Sequence, residues 1–107
     1  MALVGMMHNM KAALLLKERL PFGEEAFAEL VIWRLAQPAA GSLHPYKYRL
    51  AFVVGDECVL RYDNESGKGD HRHTKSRELK YVFESPEKLV ADFLREARRI
   101  NHENRDS

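Results

Sequence analysis

Cysteine is nearly absent. Cys58 is the only one, so no disulfide can form within the chain, and a reducing compartment such as the cytoplasm suits it. Its place in an apolar run suggests a small buried hydrophobe rather than a nucleophile. Long hydrophobic runs are missing too. Nothing approaches the roughly 20 apolar residues that a membrane-spanning helix requires. Residues 1–9, MALVGMMHN, have neither the basic start nor the apolar centre of a secretory signal. They suggest a disordered leader with Met10 as the natural beginning, and His8 is set aside with them. An excess of one charge is also lacking: 17 basic residues face 16 acidic ones, so any electrostatic argument has to be local. Internal repeats are absent.

What is present suffices for one core. A chain of 107 residues with a hydrophobic fraction of 45% is long enough for a single modest domain, expected over residues 10–100. Residues 11–20 (KAALLLKERL) favour helix locally, but they are short, and the turn Pro21, Phe22, Gly23 leads into the aromatic and β-branched residues 27–35 (FAELVIWRL). A hairpin follows from that adjacency, with tertiary pairing overriding propensity. Residues 37–45 form a loop on composition. The clearest strand is residues 46–54, where Tyr46, Tyr48, Leu50, Phe52 and Val54 alternate with a face that begins basic at Lys47 and Arg49.

After Gly55, Asp56 and Glu57 the chain turns back with Cys58, Leu60 and Tyr62 on its apolar side. A two-residue loop would set Arg61 opposite Leu50, so a three-residue loop is expected. Leu60 then faces Phe52, Tyr62 faces Leu50 and Asp63 faces Arg49. A further strand is expected over residues 78–84, with Leu79, Tyr81 and Phe83 on one side. Ser85 and Pro86 open a helix as N-cap and first helical residue. Leu89, Val90, Phe93, Leu94, Ala97 and Ile100 form its apolar stripe. Arg95, Arg98 and Arg99 sit toward its end, where the macrodipole favours cations, and residues 101–107 suggest a frayed polar tail. The fold class is α+β: a small meander-like antiparallel sheet of about five strands, one face covered by a C-terminal helix.

Residues 61–73 (RYDNESGKGDHRH) have nothing to bury after Tyr62 until Leu79. They are expected as a surface loop, and their density of titratable groups marks them as the candidate site. Three chemistries fit. In a nuclease, His71 and His73 serve as acid and base because imidazole exchanges protons near neutral pH. Lys68, Arg61 and Arg72 would balance phosphate charge, and Asp70 or Asp63 would orient a histidine. A metal site built on His71, His73 and an aspartate ranks lower, since no third ligand stands at a telling spacing and Lys68 and Arg72 oppose a cation. A solvated loop pairing its own charges is the bland alternative. The Gly67, Lys68, Gly69 stretch lacks the phosphate-loop spacing and no helix is expected after it. Tyr46 and Tyr62 lie near enough to stack on a base, whereas Trp33 suggests core or rim. His44 belongs to a loop that reaches the site only by folding over the sheet.

KAALLLKERL, ELVIWRL, GSLHPYKYRLAFVV and above all RYDNESGKGDHRH resemble the TumE family of small bacterial and archaeal toxins, from Met10 to about Phe93. The resemblance implies a growth-inhibiting toxin neutralised by a small helix-turn-helix antitoxin. By analogy with other toxins of this size it favours RNA as the target and a metal-independent ribonuclease needing no cofactor. His71, His73, Asp70 and Lys68 are the catalytic candidates. Arg61, Tyr62, Asp63, Asn64, Arg72, Lys47, Arg49 and Tyr46 are the substrate-binding ones. The other classes are a non-catalytic binding protein acting through a basic recognition loop, and an RNA-modifying transferase. An exposed edge strand would also invite pairing, either as a homodimer or with an antitoxin strand.

Overall fold

The computed structural model describes residues 12–65 and 67–106, so the expected leader lies outside the described residues. Six strands follow in chain order: β1 (Ala13–Pro21), β2 (Ala26–Arg34), β3 (Tyr46–Val54), β4 (Glu57–Glu65), β5 (Gly69–Thr74) and β6 (Glu78–Lys80). They form one sheet in which each strand is antiparallel to the next. The helix α1 (Pro86–Asp106) packs on one face, giving the α+β architecture expected from the pattern.

Apolar burial on the helix side organises the fold. Leu30, Ile32, Tyr48, Leu50, Phe52, Leu60 and Tyr62 point inward from β2, β3 and β4, and Leu89, Phe93 and Ala97 meet them from α1. Fully burying a side chain of the Leu or Phe type stabilises by about 1.5–3 kcal/mol. This is why β1, helix-prone by composition, is a strand: Leu16 and Leu20 reach the core only in the extended register with β2. Pro21 is tolerated at the end of β1 because this strand lies at the sheet edge. The helix begins as expected. Ser85 Oγ accepts from the Lys88 backbone N–H at 3.0 Å, a cap worth about 1 kcal/mol.

The structure departs from expectation in four places. Residues 69–74 are a strand, not part of a loop: Gly67 and Gly69, at φ 84° and 77°, turn the chain back so that β5 pairs with β4 throughout. The strand expected over 78–84 pairs only over Glu78–Lys80; Tyr81 and Phe83 pack on the core from irregular backbone, and Leu79 is exposed. The helix continues past Ile100 to Asp106, where a frayed tail was expected, supported by the Arg99 to Glu103 pair at 2.8 Å. Cys58 is exposed. The cause is a bulge. Val54 pairs with Glu57 across a turn of Gly55 and Asp56, and the shift between Cys58 and Leu60 sends Val59 to the core. The bulge restores the expected pairs, Phe52 with Leu60, Leu50 with Tyr62 and Arg49 with Asp63, without the three-residue loop.

Two polar clusters join the helix to the sheet edge. Arg72 of β5 forms an ion pair with Glu96 of α1, and the Tyr62 hydroxyl donates to the same carboxylate at 2.7 Å. Burial would raise the Glu96 carboxyl, but the hydrogen bonds from Arg72 and Tyr62 hold it below its usual range. Asp92 is likewise raised by burial and more strongly lowered by Lys88, Tyr81 and Arg95, to about 2.

Both carboxyls are depressed in the folded state, so their stabilisation is complete above the ordinary carboxylate range and is lost as pH falls toward 2. Urea midpoints should drop steadily below about pH 4, and a D92N/E96Q double variant should show a flatter pH dependence. Glu96→Ala, which leaves Arg72 and Tyr62 without their acceptor, should cost about 2–3 kcal/mol at neutral pH in the same assay.

Candidate functional site

Because successive side chains alternate along a strand, β5 divides the candidate residues between the two faces of the sheet. His71 and His73 point to the outer face, away from the helix, while Asp70 and Arg72 point inward. On the outer face the imidazole centroids are 6.2 Å apart. Asp63, opposite His71 on β4, uses its two oxygens separately: Oδ2 accepts from Arg61 Nε at 2.9 Å, and Oδ1 lies 3.2 Å from His73 Nε2. With Nε2–H donating to the carboxylate, His73 Nδ1 is left as an acceptor. Glu78 lies about 4 Å from both rings. These side chains, with Glu65 and Lys68, line a depression of about 140 Å³.

The inner face uses its polar groups to hold the fold. The Asp70 carboxylate Oδ2 accepts from the Tyr48 hydroxyl at 2.6 Å and from His44 Nε2 at 2.8 Å, while His44 Nδ1 accepts from the Tyr46 backbone N–H at 3.2 Å. The His44 ring stacks on Phe83 with centroids 3.8 Å apart. Asn64 is buried and bridges to β3, accepting from Tyr48 N and donating to Tyr46 O. Burial first, and the Asp70 or Glu96 acceptor second, push the Tyr48 and Tyr62 hydroxyls upward, so both are fixed as neutral donors. Tyr62 packs edge-on against Tyr81 and Phe93 and is closed to a base.

Of the twelve residues singled out from the sequence, His71, His73, Asp63, Arg61 and Lys68 therefore meet at one depression. Arg49 stands beside Asp63 on the outer face, and Lys47 reaches the Asn64 carbonyl at 2.7 Å. Asp70, Arg72, Tyr62, Asn64 and Tyr46 are on the inner side, where Arg72 is held by Glu96 and Tyr46 accepts from Arg34 at 3.2 Å. Asp63, not Asp70, is the carboxylate that meets a histidine of this pair. Among the described residues no three His, Cys, Asp or Glu side chains converge as metal ligands would. Gly67 and Lys68 lead into a strand, so the helix start of a phosphate loop is not formed here.

A family model described as Toxin TumE matches residues 11–101. The chain belongs to the TumE toxin family. It is thus a toxin of the toxin–antitoxin kind, whose partner is an antitoxin. None of the curated proteins and none of the solved structures matches it. No helix among the described residues of this TumE-family toxin is long and apolar enough to cross a membrane.

His44, which sequence reasoning left conditional, lies on the inner face with Asp70 and Phe83, on the other side of the sheet from His71 and His73. The Gly67 backbone N–H donates to the Ala40 carbonyl at 2.6 Å, locking the loop before β3 to the turn before β5. Gly41 is needed there twice over. Its φ is 81°, and a Cβ would lie 3.0 Å from the Gly67 backbone. Tyr48 and Glu96 were passed over because each has an ordinary place in a core strand or a helix. The signal for their polar roles was the strand alternation of Asp70 and Arg72 against His71 and His73.

Gly41→Ala should separate the two turns and lower stability by about 1–3 kcal/mol. The histidine NMR spectrum should show His44 losing its Asp70 contact, while the signals of His71 and His73 shift less.

Proposed function

We propose that this TumE-family toxin is a metal-independent ribonuclease that works by imidazole acid and base catalysis on the open face of its sheet. The observation that carries this reading is the series Arg61, Asp63, His73, with His71 at a ring distance of 6.2 Å. A carboxylate anchored by an arginine and turned toward an imidazole favours one tautomer and stabilises the imidazolium when it forms. The separation leaves room for a phosphodiester between the rings, each within hydrogen-bond reach of an oxygen on phosphorus.

The reaction follows from these positions. His73 Nδ1 takes the proton from a ribose 2′-hydroxyl, whose oxygen attacks the adjacent phosphorus. His71, protonated, gives its proton to the departing 5′-oxygen as the P–O5′ bond breaks. The products are a 2′,3′-cyclic phosphate and a 5′-hydroxyl, with no net change in proton count. Lys68, exposed at the rim, and Arg61 oppose the charge that grows on the phosphoryl oxygens. The same reading makes RNA the substrate, the cytoplasm the place of action and a small helix-turn-helix protein the neutralising partner, as the family resemblance suggests. Recognition through a loop of Arg61, Lys68 and Arg72 is less favoured, because Arg72 faces the helix and is bound to Glu96.

Substituting both histidines (H71A/H73A) should leave circular dichroism and thermal unfolding near the parent, while RNA cleavage falls by about 10³-fold or more and growth arrest disappears. Asp63→Asn should keep the fold and lower cleavage about ten- to a hundredfold. A folded double variant that still cleaves RNA would sink the catalytic assignment. Mass analysis of the exposed RNA separates the chemistries: a cyclic phosphate end supports scission, and an added group supports transfer instead.

A further inference from the structure

The outer face extends well beyond the two histidines. The register places Lys17, Val31, Arg49, Asp63, His71 and Lys80 in one unbroken row across all six strands. Beside that row, Trp33 sits between Leu14 of β1 and Lys47 of β3. Helix α1 packs on the opposite face, so among the described residues this surface has no helix over it. Its carboxylates are already engaged: Glu29 with Arg19, Asp63 with Arg61 and His73, Glu65 with Lys68, and Glu78 near the histidines. Lys17, Lys47, Arg49 and Lys80 have no carboxylate partner among the described residues. Cations therefore remain in surplus along a line from the histidines toward Trp33.

Trp33 is half-buried and outward, since its neighbours Leu30 and Ile32 carry the core side of β2. An indole flanked in the register by Leu14 and Lys47 offers a stacking surface at little entropic cost. It lies three strands from His71, roughly 14 Å across the sheet. We infer that the outer face is a single-stranded RNA platform: the strand runs from the His71 and His73 depression over Arg49 and Lys47, which take phosphates, and one unpaired base stacks on Trp33. An open sheet face with a ring and scattered cations suits unstacked bases. Among the described residues it presents no helix to enter the groove of a duplex.

This inference rests on the ribonuclease reading for its substrate, but it is tested without cleavage. Trp33 is the only tryptophan, so its fluorescence reports the stacking directly. The probe is a 2′-O-methyl oligonucleotide of about six residues, a length within the range such platforms hold. It cannot be cleaved through a 2′-hydroxyl. Titration should quench Trp33 and give an affinity that weakens with salt. A duplex of the same sequence should bind at least tenfold more weakly.

By anisotropy of a labelled probe, Trp33→Leu and Arg49→Glu should each weaken binding about tenfold or more, and Trp33→Phe should restore most of it. Absent quenching, or equal affinity for duplex, overturns the platform. So does parental affinity in Trp33→Leu and Arg49→Glu. If cleavage depends on the histidines while these variants leave KM unchanged, the platform falls and the ribonuclease stands. If the probe quenches Trp33 but the double-histidine variant still cleaves RNA, the platform stands and the catalytic assignment falls.

Discussion

Strand β5 is polar on both sides, so no hydrophobic preference decides which of its faces turns inward. The Arg72 to Glu96 ion pair decides it. Arg72 and Asp70 each find an inward partner, Glu96 with Tyr62 in one case and Tyr48 with His44 in the other. Against β4 the pairing of Tyr62 with Arg72 and of Asp63 with His71 follows from that choice. A slip of one residue would reverse every side chain, placing two imidazoles against the apolar core and two ionised groups in solvent. The outward position of His71 and His73 is therefore a consequence of charge satisfaction on the other side of the same strand.

The rest of the site depends on register in the same way. The bulge at Val59 puts Arg61 and Asp63 on the outer face, although the turn ahead of β4 has only two residues between Val54 and Glu57. Without it, the parity of β4 would invert, setting Arg61 opposite Leu50 and turning the carboxylate that faces His73 inward opposite Tyr48. Backbone geometry and side-chain chemistry are thus coupled through one unpaired residue. Bulges commonly re-aim side chains beside functional sites.

Much of this was legible in the sequence where burial is one-sided. Alternation in residues 46–54 marked β3, and the pairing of Leu60 with Phe52 followed from matching apolar faces. Ser85 and Pro86 marked the helix start because capping is local chemistry. The same reasoning passed over β5, since a strand without an apolar face has no periodic signature and its glycines suggested a loop. It also missed the bulge, which trades loop length for an extra residue with identical register downstream, and with it the exposure of Cys58. The grouping of Asp63 with His73 was visible as a possibility; its preference over Asp70 required knowing which way β5 faces.

The contact of Gly41 with Gly67 joins two turns far apart along the chain. The constraint is one-sided: a Cβ on Gly41 would meet the Gly67 backbone, whereas one on Gly67 would meet nothing, so Gly67 is held to glycine by its φ of 84° alone. Because backbone atoms make the contact, no change of side chain at position 67 relieves it, and in the divergence of such toxins position 41 stays glycine for as long as the two turns touch.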